Sequence, residues 1–533
     1  MFAWPRILVC ATLIAVGLCA PVMAKEPQPA VVVSLASPDK LLADVAYLTQ
    51  AVDQPAAGRM AALMADPYLS GVDRERPAGA YVTYQDTEPQ IVGFVAVKDI
   101  KQVLATLSDA LGEAQAVGEE GWRFPGLFIK QQGTWAFAAR QEEHLQDLPA
   151  DPLVLLAGLE KKYTVAASVD PSRIPAAARR VFLVDVKNLF AAQMTEADGQ
   201  PAEAAMQKYV VETVTMLVEG TEKVVFGWKT DTKAKQTALD FELAALPKSP
   251  LAERLALALP AHPPLGNFDL PGAAFYGRRA NAMSDDERTM IKEMFENAQQ
   301  QLKKINNDPT LPAEERAKRN AQAEAALPMM DLFREAEYLD QAAVGLVEGD
   351  EFSAVMGVSL APNSDWNKLA RNMVAQMQKD SPDAKIEVKY DVAKVGLVSL
   401  HQITAENAEE AIVNLIGEKQ TYTVGTAPGR LYVAMGPDGE KTLRGILTAK
   451  KSPMKEEMYV ARVLAKPFVR LAAERFEQPA AELLLERIQE TDQIDIVANT
   501  AGNRFTAHAK VDEGVLRSFG TLFAEIARSL GAP

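Results

Sequence analysis

Cysteine is almost missing from this 533-residue chain, and its two exceptions fall in a telling place. Cys10 and Cys19 both lie in the first 24 residues. Those residues divide as a secretory signal does. Arg6 sits near the start, an apolar run extends from Ile7 to Ala20, and Val22-Met23-Ala24 places small or branched side chains before Lys25. Cleavage after Ala24 is expected and leaves a chain without a thiol. Disulfide staples, zinc–thiolate sites, haem attachment and cysteine nucleophiles are then excluded. The alternative is that the run is kept as a membrane anchor, although it is short for a bilayer span. A lipoprotein reading through Cys19 is disfavoured by Leu18, which stands where a small residue is wanted.

Other absences narrow the chemistry. No later segment reaches membrane-spanning length without charges, so no transmembrane segment is expected after signal cleavage. Histidine occurs four times, as His144, His262, His401 and His508, and no two are spaced as a metal pair such as H-E-x-x-H. In residues 504–511 the apolar phase is Phe505, Ala507, Ala509 and Val511, so His508 points with Arg504, Thr506 and Lys510 to the polar face. G-x-S-x-G, the phosphate loop and the dinucleotide glycine fingerprint are all missing. Ser37-Pro38-Asp39-Lys40 and Ser452-Pro453-Met454-Lys455 both spell S-x-x-K, but neither is accompanied by K-T-G or S-D-N. Ser37 is explained as a helix cap with Pro38 in the first turn. Gly436-Pro437-Asp438-Gly439 reads as a turn opening a helix. No catalytic, cofactor-binding or metal residue is assigned, and no cofactor is expected. Acidic residues exceed basic ones by 15, a charge that repels nucleic acid and anionic lipid.

What is present repeats. Residues 80–111, 223–259, 342–377 and 494–530 each read as two β-patterned runs around a polar break, followed by an amphipathic helix. The breaks are Asp86-Thr87-Glu88-Pro89, Asp231-Thr232-Lys233, Glu348-Gly349-Asp350 and Ala501-Gly502-Asn503. Leu239, Phe241 and Leu243 alternate with Ala238, Asp240 and Glu242; Phe352, Ala354, Met356, Val358 and Leu360 repeat the pattern. Leu516, Phe519, Phe523, Ile526 and Leu530 form one helical stripe. Gln200-Pro201-Ala202 and Gln478-Pro479-Ala480 open corresponding stretches.

The expected fold is therefore α+β: a duplicated unit of antiparallel hairpins, each followed by a helix, with two-layer sheet-and-helix packing. The first unit spans 25–262 and the second 263–533. The second also carries a charged helical hairpin over about 284–339, opened by the capping-box spelling Ser284-Asp285-Asp286-Glu287 and interrupted at Asn306 to Pro309. That hairpin serves either as a solvated brace or as a partner-binding arm.

Three pieces of the first half carry a resemblance: Gly93-Phe94-Val95-Ala96-Val97-Lys98-Asp99, Gly133-Thr134-Trp135-Ala136-Phe137-Ala138, and Leu148-Pro149-Ala150-Asp151-Pro152. In order and kind they resemble uncharacterised exported bacterial proteins of a domain-of-unknown-function type. The resemblance implies an envelope component and brings no functional residue with it. The expected function is that of a non-enzymatic exported protein of the periplasm or cell surface, acting by binding or assembly with a protein or envelope partner. An alternative is a carrier of an apolar ligand or lipid, its sheet faces lined by Phe226, Trp228, Phe352 and Met356. A hydrolase with a site assembled from distant loops is a third.

Overall fold

The computed structural model describes residues 28–86, 88–194, 201–257, 265, 267–307, 312–313, 316–317, 320, 332–333, 336–360, 365–380, 386–405, 420–449, 457–476 and 479–520. The expected signal segment with Cys10 and Cys19, His262, the Ser452-to-Lys455 motif and the part of the expected last helix beyond residue 520 lie outside the described residues. So does most of the expected second arm of the helical hairpin; its first arm is the helix Asp285–Asn307. Among the described residues no helix is long and apolar enough to cross a membrane.

The chain divides into two compact units. The first comprises the described residues of Met1–Phe190, Val214–Ala252 and Asn503–Pro533; the second, those of Ala191–Thr213 and Glu253–Gly502. The first unit contains β1 (Val31–Leu35), β2 (Ala78–Gln85), β3 (Glu88–Ala96), β4 (Gln115–Val117), β5 (Gly121–Phe124), β6 (Leu127–Gln132), β7 (Trp135–Ala139), β8 (Val165–Val169), β9 (Thr221–Asp231) and β10 (Gln236–Ala245). The second contains β11 (Phe275–Ala282), β12 (Tyr338–Glu348), β13 (Glu351–Ser359), β14 (Ile386–Val395), β15 (Val398–Ala405), β16 (Gln420–Ala427), β17 (Arg430–Met435), β18 (Glu457–Leu464) and β19 (Gln493–Ala501). The last strand, β20 (Arg504–Asp512), belongs to the first unit, where it pairs with β10.

In the first unit the strands lie in the order β4-β5-β6-β7-β3-β2-β1-β8-β9-β10-β20. In the second the order is β14-β15-β16-β17-β13-β12-β11-β18-β19. The second order is the first with ten added to every label, as far as it runs. Within each unit every pairing is antiparallel, and the strands of each unit form one continuous antiparallel sheet.

This corrects the expected α+β arrangement of hairpins covered on one side by their own helices. The strands carry apolar residues on both faces, so burial is divided between the two sides of the sheet. In β13, Phe352 and Ala354 pack with Leu471 on one face. Val355 packs with Tyr432, Leu443 and Ile446 on the other. Trp366 and Leu369, on the helix Trp366–Asp380, cover Val358 and Leu431, whereas the helix Gly439–Thr448 lies against the opposite face. The first unit behaves alike: Phe94, Trp135 and Phe137 are buried on one face, and Ile129 and Ala136 beneath the helix Ile100–Leu111 on the other. Strand interiors with two apolar faces need cover on both. Between β7 and β8 the chain passes through the short helical turns Glu142–Leu145, Leu153–Leu156 and Leu159–Lys162. Ser37 caps the helix Pro38–Ala51 as its sequence indicates, its hydroxyl accepting from the Lys40 amide at 3.1 Å.

Candidate functional site

The register of the second unit builds a site on one face of its sheet. Gly277 of β11 lies opposite Ala343 of β12, Ala343 opposite Met356 of β13, and Met356 opposite Val433 of β17. One step along the strands, Arg279, Gln341, Val358 and Leu431 form the next row on the same face, because side chains two residues apart share a side. Tyr459 of β18 stands opposite Arg279. Helices cover this face at both ends. Phe468 and Leu471 lie over Phe275, Phe352 and Ala354 at one end; Trp366 and Leu369 lie over Val358 and Leu431 at the other. The middle stays open as a trough of about 420 Å3.

The floor of the trough is made of small residues and its sides of larger ones. Met356 is 44% exposed and Tyr459 37%, despite their positions in strand interiors. Gly277 is the most informative residue. A Cβ there meets only the Val460 carbonyl at 4.0 Å, and β11 pairs both neighbours without a register shift. By contrast, Gly345 and Gly357 are glycine because a Cβ would run into Phe275 at 2.1 Å or Phe268 at 2.9 Å. An interior strand glycine that neither a bulge nor a close neighbour requires leaves room for something outside the chain. The chemistry is mainly dispersion and apolar burial, with a cation at one end: Arg279 is exposed and makes no ion pair among the described residues.

The four apolar residues expected to line ligand faces are not brought together. Only Met356 reaches the trough; Phe352 is core. Phe226 and Trp228 share a face of β9 in the first unit, where Trp228 Nε1 donates to Thr237 Oγ1 at 2.8 Å. There Phe226 is 54% and Leu239 61% exposed, so the alternation that marks Leu239 as inward points it to solvent instead. Phe226, Phe241 and Phe505 form an open ladder, with ring centroids 4.8 and 5.9 Å apart.

The histidines divide by burial. His508 lies opposite Asp240 on β20 and its Nδ1 pairs with that carboxylate. His401 is buried, its Nδ1 accepting from the Asp391 amide at 3.0 Å and its Nε2 contacting Thr426 Oγ1 at 2.9 Å. His144 lies within the short turn Glu142–Leu145, and burial holds its pKa below the ordinary value. Among the described residues no three His, Cys, Asp or Glu side chains gather as a metal-ligand set. Arg279, Gln341 and Tyr459 bring polar groups to the lining of the trough. Sequence reading missed β11 altogether and with it Gly277 and Arg279; the signal available was the Phe275-Tyr276-Gly277 start of a β-patterned run. Comparison of the chain with protein-family models, curated proteins and solved structures yields no match.

Proposed function

We propose that this chain is a non-enzymatic binding protein acting outside the cytoplasm, and that the trough of its second unit takes a small apolar molecule with an acidic head. The observation that carries the reading is the unforced glycine, Gly277, on the floor of an open apolar trough rimmed by Arg279. Its volume is within the range of small-molecule sites, roughly 300–1,000 Å3, which are mostly apolar with a few polar groups that fix orientation. The signal-like first 24 residues support the location.

Titration with dodecanoate tests the site. Gly277→Val adds bulk to the floor where a Cβ meets only the Val460 carbonyl at 4.0 Å, so it is expected to abolish binding while the protein stays folded, as circular dichroism melting verifies. Arg279→Gln is expected to weaken dodecanoate but not dodecanol. Equal binding of dodecanoate by all three proteins would overturn the reading. Amino-terminal sequencing of protein recovered outside the cytoplasm is expected to begin at Lys25.

A second reading is favoured by the ladder on β9, β10 and β20, whose exposed Phe226 and Leu239 give a protein partner a flat apolar surface. A photo-reactive side chain introduced at Leu239 tests it in intact cells; capture of no protein counts against it.

A further inference from the structure

A second cleft, in the first unit, has the opposite chemistry. It has a volume of about 560 Å3 and is lined by Lys40, Lys161, Lys162, Lys229, Lys233 and Lys510. Among the described residues no arginine contributes to it. Six ammonium groups around one cleft stand out in a chain whose net charge is −15. They arrive from four places: the helix capped by Ser37, the segment leading into β8, the β9–β10 hairpin, and β20.

The carboxylates nearby are largely committed. Asp44 is buried and takes Lys40 Nζ at 2.5 Å together with the Thr164 hydroxyl at 2.6 Å. Asp240 takes Lys229 Nζ at 2.9 Å and His508 Nδ1. Glu242 pairs with Lys162. Asp231 accepts the amides of Lys233 and Ala234 at 3.0 and 2.9 Å, closing the hairpin turn. Glu160 also lines the cleft. Lys161 and Lys233, from different walls, make no ion pair among the described residues; Lys233 feels the Asp231 carboxylate of its own turn. An aromatic ring packs the wall between them. The Tyr163 ring lies on β9 where Gly227 leaves space, since a Cβ at Gly227 would sit 2.3 Å from it. Lys162 and Lys229 reach over that ring, with Nζ 4.8 and 5.7 Å from its centroid.

We infer that this cleft binds a small molecule carrying two or more phosphate groups. Lysine holds phosphate as a point charge and imposes no planar fork, so several lysines can share the oxygens of one polyanion. Unpaired ammonium groups on separate walls serve a multivalent anion better than a single one. The site is independent of the apolar trough, so either can fail alone.

Calorimetric titration with inorganic tripolyphosphate at low salt, repeated across a salt series, tests the inference. Saturable binding that weakens with salt is expected. The doubly substituted Lys161→Gln/Lys233→Gln chain is expected to bind about tenfold more weakly, while Lys101→Gln, on the exposed side of the helix Ile100–Leu111, binds unchanged. Circular dichroism melting verifies that both variants are folded. The absence of saturable binding, or full affinity in the double variant, overturns the inference. Co-sedimentation with cardiolipin–phosphatidylcholine vesicles distinguishes the source of the phosphates. Vesicle binding released by tripolyphosphate assigns a lipid headgroup; binding to tripolyphosphate alone assigns a free anion, and both support the site.

Discussion

Arg278 and Asp340 hold each other across adjacent strands, with Nη2–Oδ2 at 2.7 Å and Nε–Oδ1 at 3.1 Å, and Asp340 is only 1% exposed. The pair sits on the face of β11 and β12 opposite the trough, one residue away from Gly277 and Arg279 along the strand. It therefore helps to fix the register that aligns the trough floor. Burial pushes the Asp340 carboxyl above the usual carboxylate range, against the pull of Arg278. Desolvation is thus the larger influence even with good pairing.

That balance predicts an asymmetry. Asp340→Ala leaves the Arg278 guanidinium buried with no counter-charge and is expected to cost about 3–5 kcal/mol. The double replacement Arg278→Met/Asp340→Leu removes both charges and is expected to recover most of the loss. Urea unfolding midpoints of the two variants measure the difference; equal losses would rule out the unpaired charge as the cause.

His401 gives the second unit a pH dependence with a definite sign. Because Nδ1 accepts the Asp391 amide, the proton of the neutral ring lies on Nε2 and is donated to Thr426. Burial lowers its pKa, partly opposed by Asp391, while Arg371 adds to the lowering. Asp391 has φ 54° beside a register shift in β14, so the histidine pins an irregular backbone. A depressed folded-state pKa means that the unfolded chain takes the proton more readily. The stability His401 provides is present above the unfolded value of about 6.5 and falls as pH drops through the window below it. Melting temperatures are expected to fall from about pH 7.5 to about pH 5 more steeply in the natural chain than in His401→Gln. Parallel curves would show that other groups set the slope.

Local features were the legible ones, and the reason is distance along the chain. The polar breaks at Asp231-Thr232-Lys233 and Glu348-Gly349-Asp350 mark real turns, between β9 and β10 and between β12 and β13, because turn chemistry is set by neighbouring residues. Ser37 and Ser284 show their cap geometry for the same reason. The pairings of β1 with β8, β3 with β7 and β11 with β18 join segments separated by long stretches, and no period in either strand specifies the partner. The two-layer expectation failed at this point. Alternation in β13 reveals one apolar face, but Val355 makes the other face apolar as well, and a period of two does not show it. Gly277 became informative only when its neighbours were known, since a sequence cannot distinguish a crowded glycine from an open one.

Glu287 uses both carboxylate oxygens, and the consequence can be separated from simple capping. Oε2 accepts the Ser284 amide at 2.8 Å, while the Ser284 hydroxyl accepts the Glu287 amide at 3.2 Å, completing a capping box on the helix Asp285–Asn307. Oε1 accepts Arg254 Nη2 at 2.8 Å and the Tyr209 hydroxyl at 3.3 Å. Arg254 also donates to that hydroxyl at 2.5 Å. Ser284→Ala loses the cap alone and is expected to cost about 1 kcal/mol. Glu287→Ala also strands a half-buried guanidinium and is expected to cost about 2–4 kcal/mol. Denaturant midpoints for the two single variants decide this, with equal values placing all of the effect in the cap.

Two strand glycines make the last comparison. At Gly227 an added Cβ lands 2.3–2.5 Å from three atoms of the Tyr163 ring, inside the core formed with Leu159, Ala166 and Val225. Either the ring moves or the strand does, and Gly227→Ala is expected to destabilise by about 1–3 kcal/mol. At Gly277 the new methyl enters open space, and the reduced freedom of the unfolded chain is expected to make Gly277→Ala neutral or more stable by about 0.4–1 kcal/mol. A glycine retained at a position where alanine is more stable would have its explanation outside the fold, in whatever occupies the trough. Thermal unfolding of the two variants in parallel gives the answer. A clear loss of stability in Gly277→Ala would return that glycine to a structural role and leave the trough without its main support.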